Sequence, residues 1–433
     1  MKMGHFLSYV QIRKLRNLVP LILYALPFVF SFALLKLLIV FYGEEQYATY
    51  VVAFGSALIA RITFFNAAQS IFLRYFGLEG DKRLVALQFR KFQVLGLIFP
   101  TLLSITLLIL IASDRDYIIA GQPLVFASGF LLGCGLGGLS AIAEVDNAHF
   151  SRSWGGGMIV AIPILQAAIV PIAASMNLHI TGYLALTGAG LLLCSVLYSQ
   201  HFFGRVTGAL SSKTTPFKLR TVPEGFYRYL RQLSYWVIPT LALKAADRLI
   251  VESSLNDIEM AAFGACLMLT ERVYAASATV FTRFFNRKIF SGLDGNNLQE
   301  NHRAVSHLFT FQITLVIGLT ALYYVFGEQI LRLVASDKIA SEVGLLVGLA
   351  LAMGLVVASE VRVLHGHIEA KPNPFLIARV ATGSTYLVLL LALVPESGTK
   401  GLIIAAFGSA GVALFGTAVA SRIVQRTRTE VRL

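Results

Sequence analysis

Charge is scarce in this chain. Of its 433 residues only 14% are Asp, Glu, Lys or Arg, against about 25% in an average soluble domain. A mean hydropathy of +0.72 and a hydrophobic share of 56% exclude a soluble globular protein and a disordered one alike. Cysteine is equally sparse. Cys134, Cys194 and Cys266 each lie within an apolar run, with neither metal-ligand spacing nor a disulfide framework. No Gly-x-x-x-x-Gly-Lys-Ser/Thr phosphate loop occurs, so a built-in nucleotide-hydrolysing engine is excluded. His365-Gly-His367 is a poor metal pair, because residues two apart do not share a helix face. No metal, catalytic residue or bound cofactor is expected.

Long apolar runs are what the chain does have. A helix needs about 20 such residues to cross a bilayer. Twelve stretches qualify: 18–42, 47–76, 93–113, 123–144, 156–175, 181–199, 233–251, 259–282, 304–327, 342–362, 374–394 and 401–421. They are too long and too uniformly apolar for strands of a membrane barrel, and the amino end carries no cleavable-signal pattern. The expected class is an all-α polytopic membrane protein. With the amino terminus inside, the cytoplasmic segments hold 24 Lys and Arg and the outer loops 4. That asymmetry is the positive-inside pattern of retained loops. It places both termini in the cytoplasm, and it accounts for the net charge of +13 without nucleic acid.

The longest polar segment, 200–232, leaves six spans on either side. The expected organisation is an amino-terminal lobe (1–204), a cytoplasmic linker (205–232) and a carboxy-terminal lobe (233–433). Pro27 and Lys36 match Pro239 and Arg248 at an offset of 212, and Arg74 matches Arg287 at 213. Six intervening spans give the two copies the same orientation, a parallel repeat of the kind found in transporters. The Gly-rich run 129-GFLLGCGLGGLSA-141 has no strand before it and reads as close helix packing. Pro27, Pro163, Pro171 and Pro239 kink the helices that contain them.

Ionisable residues inside spans mark function, since a central Lys or Arg costs about 2.5–3.5 kcal/mol on insertion scales. Lys36, Arg61, Lys244, Arg248, Arg272 and Arg379 lie within spans; Asp247, Glu271 and Glu360 are the fewer acids. An excess of cations predicts an electropositive interior and an anionic ligand. Arginine suits a phosphate because its planar fork donates two parallel hydrogen bonds. Lys244, Asp247 and Arg248 share a helical face, so Asp247 is expected to pair with Lys244 and leave Arg248 free. Asn66, Gln69 and Ser70 form a polar stripe suited to hydroxyl-rich ligands. The expected substrate contacts are Lys36, Arg61, Asn66, Gln69, Lys244, Arg248 and Arg272. Asp247, Glu271 and Glu360 are the expected carriers of a coupling ion, H+ or Na+.

The turn 43-GEEQYATY-50, together with 247-DRLIV-251 and 259-EMAAF-263, resembles the oligosaccharide repeat-unit flippases (Wzx-type polysaccharide transporters), whose superfamily includes MATE exporters and lipid II flippases. In that family's turn Pro stands where this chain has Glu44 and Gly where it has Ala48. The resemblance implies two six-helix lobes in a V, rocking by alternating access around a cationic cavity. It implies a polyprenyl-diphosphate-linked oligosaccharide as cargo, for O-antigen or exopolysaccharide synthesis at a bacterial inner membrane. Membrane lipids, a polysaccharide polymerase and export machinery are the implied partners. A MATE-type cation-coupled exporter of drugs or metabolites is the rival. A membrane glycosyl polymerase is disfavoured because the longest outer loop is only 328–341.

Overall fold

The computed structural model describes residues 3–75, 82–113, 122–150, 152–211, 226–290, 298–368 and 373–431. Linker residues 212–225, and the side chains of Arg74, Arg287 and His367, lie outside the described residues. Among the described residues every regular element is a helix. This follows from the composition, because in hydrocarbon each backbone polar group must find its partner within its own segment.

The amino-terminal set begins with α1 (Met3–Arg61), which passes through a π-helical turn (Ile62–Asn66) into α2 (Ala67–Tyr75). It continues with α3 (Lys82–Ser113), α4 (Gln122–His149), α5 (Arg152–Ser175) and α6 (Ile180–Ser211). The carboxy-terminal set opens with α7 (Phe226–Lys244), α8 (Ala246–Ile250) and a 3-10 turn (Val251–Ser253). Then come α9 (Asp257–Phe290), α10 (Leu298–Val334), α11 (Asp337–Ala340), α12 (Val343–Val361), α13 (Val363–Ile368) and α14 (Asn373–Val431).

Helices α1 and α14, at 59 residues each, are far longer than one crossing needs, and each is divided by a single residue. Gly43 (φ 77°, ψ 173°) breaks α1 and Gly398 (φ 55°, ψ −131°) breaks α14. Positive φ there requires glycine. Among the described residues seven stretches are long and apolar enough to cross a membrane, and two of them, Val29–Phe72 and Asn373–Gln425, run to 44 and 53 residues. Divided at their glycines, each supplies two crossings. The expected twelve spans fall on these helices together with the more polar α3, α7 and α9. Gly43, Gly398 and the start of α9 lie at one end of the bundle, since a Cβ on Gly398 would meet Glu259 and Leu255. We call this the Gly43 end.

Helix α4 is the pillar of the amino-terminal set and touches α1, α3, α5 and α6. Its glycines permit the approach: a Cβ on Gly129 would lie 2.1 Å from the Ala53 carbonyl oxygen, and one on Gly133 2.2 Å from that of Ala57. The Gly-rich run is therefore a packing surface, as expected. Tyr47, Tyr50 and Tyr183 are buried together beside it, with the Tyr47 and Tyr50 ring centroids 5.8 Å apart. Large apolar side chains such as Leu193, Tyr324 and Phe415 point outward, where lipid would meet them.

The two sets meet mainly where α1 packs on α9, with α2 and the π turn against α7. Near the Gly43 end the approach is close: a Cβ on Gly264 would lie 2.1 Å from a Val51 methyl. Further along, Gly55 faces Arg248 and the carbonyl of Ala245.

Gly133→Ala should lower stability by about 1–3 kcal/mol, because its methyl meets backbone rather than a movable side chain. A fall in the melting temperature of detergent-purified protein measures this. Gly157→Ala, at a helical position where a Cβ meets nothing within 4 Å, should not lower it.

Candidate functional site

The seam between the two sets is lined by charge, and its most buried member is Arg248. Helix α7 stops at Lys244, and Ala245 (φ −133°, ψ −39°) leaves helical geometry before α8 begins. The break turns Asp247 and Arg248 inward. Asp247 is 0% and Arg248 4% exposed. The Arg248 guanidinium donates Nη2 to Glu271 Oε2 (2.9 Å) and Nη1 to Asp247 Oδ1 (3.3 Å), and Nη1 also reaches the Lys244 carbonyl. Tyr386 on α14 donates its hydroxyl to Asp247 Oδ2 at 3.3 Å. Phe54 of α1 lies under the guanidinium, 5.9 Å from its carbon.

This corrects the expected pairing. Asp247 is held by Arg248, not Lys244, and Arg248 is not free. The i, i+3 relation assumed one continuous helix, and the break at Ala245 removes it. The Lys244 side chain is exposed and acts electrostatically on Glu360 of α12. Glu360 is bound by Arg379 of α14 at 3.0 Å, and Arg379 sits over the Trp236 ring at 5.3 Å.

Across the seam, Arg61 and Gln69 both reach Glu144 of α4. Arg61 lies 4.0 Å from the carboxylate and Gln69 donates a hydrogen bond to it. Residues eight apart in a regular α-helix point about 80° away from each other. The intervening π turn rotates less per residue and brings them onto one face. Arg61 and Glu144 are about a third exposed, so the pair is accessible. Of the expected polar stripe, Gln69 is committed to Glu144, Asn66 closes the π turn half-buried, and Ser70 is exposed.

Arg272 of α9 is different. Among the described residues no carboxylate or carbonyl partner is bound to its guanidinium. It is half-buried within electrostatic range of Arg61, Arg248, Tyr50 and Glu271. Cations from both helix sets thus converge there, and the anions nearby are already engaged by other arginines. The interior as a whole is closer to charge balance than the sequence implies, and among the described arginines of the seam Arg272 is the one with no bound acid.

Lys36 is not part of this group. Its ammonium donates to the Ala335 carbonyl at 2.8 Å, at the carboxyl end of α10, where a cation complements the helix dipole. Nearby, Glu44 faces Ser336 and lies 3.7 Å from Lys338. Together these contacts tie the first helix to the carboxy-terminal set at the Gly43 end.

One buried ion cluster was not foreseen. Asp146, 0% exposed, accepts hydrogen bonds from Tyr198 and from Arg205, the latter at 2.6 Å. The apolar run ends near residue 144, which suggested a loop from 145, yet α4 continues to His149. The acid two positions after Glu144 was the available signal. At the far side of the carboxy-terminal set, His302 and His365 face each other with Nδ1 atoms 2.7 Å apart. Among the described residues no three side chains form a metal site.

No family model and no curated protein matches this chain. Solved structures do resemble it over nearly its whole length. One is the lipid II flippase MurJ in an inward closed conformation, with a TM-score of 0.62 and 13% identity over 94% of this chain and 87% of that one. Another is an inward-facing multidrug resistance MATE transporter of the MOP superfamily, at 0.53 and 12%, covering 94% and 96%. A third is a MOP-superfamily transporter from Pyrococcus furiosus, described as having a binding pocket of reverse polarity, at 0.53 and 11%, covering 96% and 95%. At these identities the likeness is one of fold: an all-α, multi-pass membrane architecture that transporters use.

Two outcomes follow from the geometry. Arg248→Ala strands the buried Asp247 carboxylate, so it should destabilise the protein by about 3–5 kcal/mol and reduce its membrane abundance, read by immunoblot. Lys36→Met removes a charge-assisted bond of about 1.5–3 kcal/mol. A cysteine at Val51, on a Cys194→Ala background, should then react at least several-fold faster with a water-soluble thiol reagent.

Proposed function

We propose that the chain is a flippase that moves a polyprenyl-diphosphate-linked oligosaccharide across the bacterial inner membrane by alternating access, with both termini in the cytoplasm. The observation that carries this reading is Arg272, which has no bound acid among the described residues, beside Arg61 from the opposite helix set. A diphosphate supplies the anion that this place lacks, and Arg binds it through parallel hydrogen bonds. Arg248 borders the same place, with Lys244 further along the seam. Asn66 and Gln69 would meet the sugars, while the prenyl tail stays in lipid. The first and last helix sets would act as the two lobes, 1–204 and 233–433, joined by 205–232.

On this reading the Gly43 end faces the periplasm. It is the end that Lys36, Glu44 and Lys338 hold together. Energy would come from H+ or Na+ carried by Asp247, Glu271 and Glu360. Each is held by an arginine, which it would have to release as the ion binds. Polymerase and export proteins would act on the delivered repeat unit.

A MATE-type exporter of cationic drugs or metabolites is the second reading, because MATE proteins share the fold. Such cargo would want an open carboxylate. In the amino-terminal set Glu144 is engaged by Arg61 and Gln69, and Asp146 by Arg205 and Tyr198. This favours the anionic cargo.

Arg272→Ala and Arg61→Ala should each cut surface polysaccharide at least tenfold, about 1.4 kcal/mol or more of lost cargo interaction. Membrane abundance should be unchanged, because neither variant strands a fully buried acid. Normal polysaccharide from both, in cells that depend on this chain for export, would refute the flippase reading.

A further inference from the structure

We propose that Glu271 is an internal stand-in for the cargo's anion: it covers the Arg248 guanidinium in the empty carrier and is displaced when the cargo's diphosphate arrives. The proposal rests on the flippase reading above and adds a residue that sets how tightly, and for which anions, the site binds. Two carboxylates hold Arg248, and they are not equivalent. Asp247 is wholly buried and pinned on its other oxygen by Tyr386. Glu271 is 30% exposed, lies on α9 beside Arg272, and contributes the shorter contact, 2.9 Å. It is thus the accessible lid on a guanidinium whose remaining contacts are internal.

An anion drawn to Arg272 and Arg61 also meets the field of Glu271, which acts electrostatically on Arg272. Like charges repel. The same anion offers Arg248 the oxygen acceptors that Glu271 now provides. A single phosphate can be satisfied by Arg272 and Arg61 alone. A diphosphate carries a second anionic group, which can take Glu271's place on Arg248 while Asp247 keeps that arginine oriented. Glu271 therefore acts as a competitor: it holds Arg248 satisfied in an empty carrier and lowers affinity for anions too small to reach both arginines.

Methanedisulfonate tests this. It has the outline of a diphosphate dianion, holds its charge across the neutral range and does not consume carbodiimide reagents. Binding is measured by calorimetry on the full chain in detergent at fixed pH. Glu271→Gln should bind it about tenfold tighter or more, the change expected when a charged hydrogen-bond competitor is removed. If this variant does not fold, the unaltered protein gives the answer. Methanedisulfonate should increase carbodiimide labelling of Glu271, read by peptide mass spectrometry, because the carboxylate leaves Arg248. Unchanged or weaker binding by Glu271→Gln, or labelling that does not rise, overturns the proposal. Arg272→Ala separates the two levels. If it weakens binding while Glu271→Gln does not strengthen it, the anion site stands and Glu271 is not its competitor. If no protein binds the dianion, the anion site itself falls, and Glu271's role with it.

Discussion

The structure depends on how Arg248 is accommodated. A guanidinium and a carboxylate taken out of water each carry a penalty of several kcal/mol, recovered only with good geometry and full hydrogen bonding. Those conditions are met here by elements far apart in the chain. The break at Ala245 presents Asp247 and Arg248 inward, α9 brings Glu271, α14 brings Tyr386, and α1 slides Phe54 beneath. The close approach of Gly55 to Arg248 and Ala245 belongs to the same arrangement, since a larger residue would push α1 away from the cluster. The joint between the helix sets is therefore electrostatic at its middle and purely steric near Val51 and Gly264.

The amino-terminal set solves a similar problem differently. Glu144 and Asp146 sit two residues apart near the end of α4 and point to separate partners, one toward the seam and one toward α6. Asp146 holds α4 to α6 through Arg205 and Tyr198 and is withdrawn from the seam. Glu144 is accessible but already engaged. What distinguishes the seam is therefore not a large positive field but Arg272, a guanidinium with no bound acid among the described residues. A site of that kind can bind an anion while Arg61 and Arg248 beside it are already paired with acids.

Much of this was legible in the sequence. The helices follow from uninterrupted apolar runs, and the packing role of Gly129 and Gly133 follows from small residues in an apolar segment. Arg61, Arg248 and Arg272 were found from the rarity of charge within spans. Their partners were not, and the reasons are physical. The Lys244–Asp247 pairing failed because helical periodicity cannot reveal a break without proline or glycine at its centre. Asp146 was overlooked because a helix can outrun its own apolar stretch. Lys36 donates to a carbonyl 299 residues away, which no local pattern encodes. Side-chain chemistry marked the positions, and only tertiary packing could say which of them were already satisfied.

Gly43 stands between Lys36 and the buried tyrosines that follow it. It is a lone non-helical residue with open space around its α-carbon. Rotation about its two torsions would swing the first helix as a rigid rod against the segment that carries Tyr47, Tyr50 and Val51. The contact of Lys36 with Ala335 lies about 10 Å along that rod from the pivot, at 1.5 Å per residue. A modest turn of one glycine would therefore draw the ammonium several ångströms from its carbonyl. The first helix thus has a fulcrum of one residue and, beside the packing of Leu34, Leu35 and Leu38, a single polar catch.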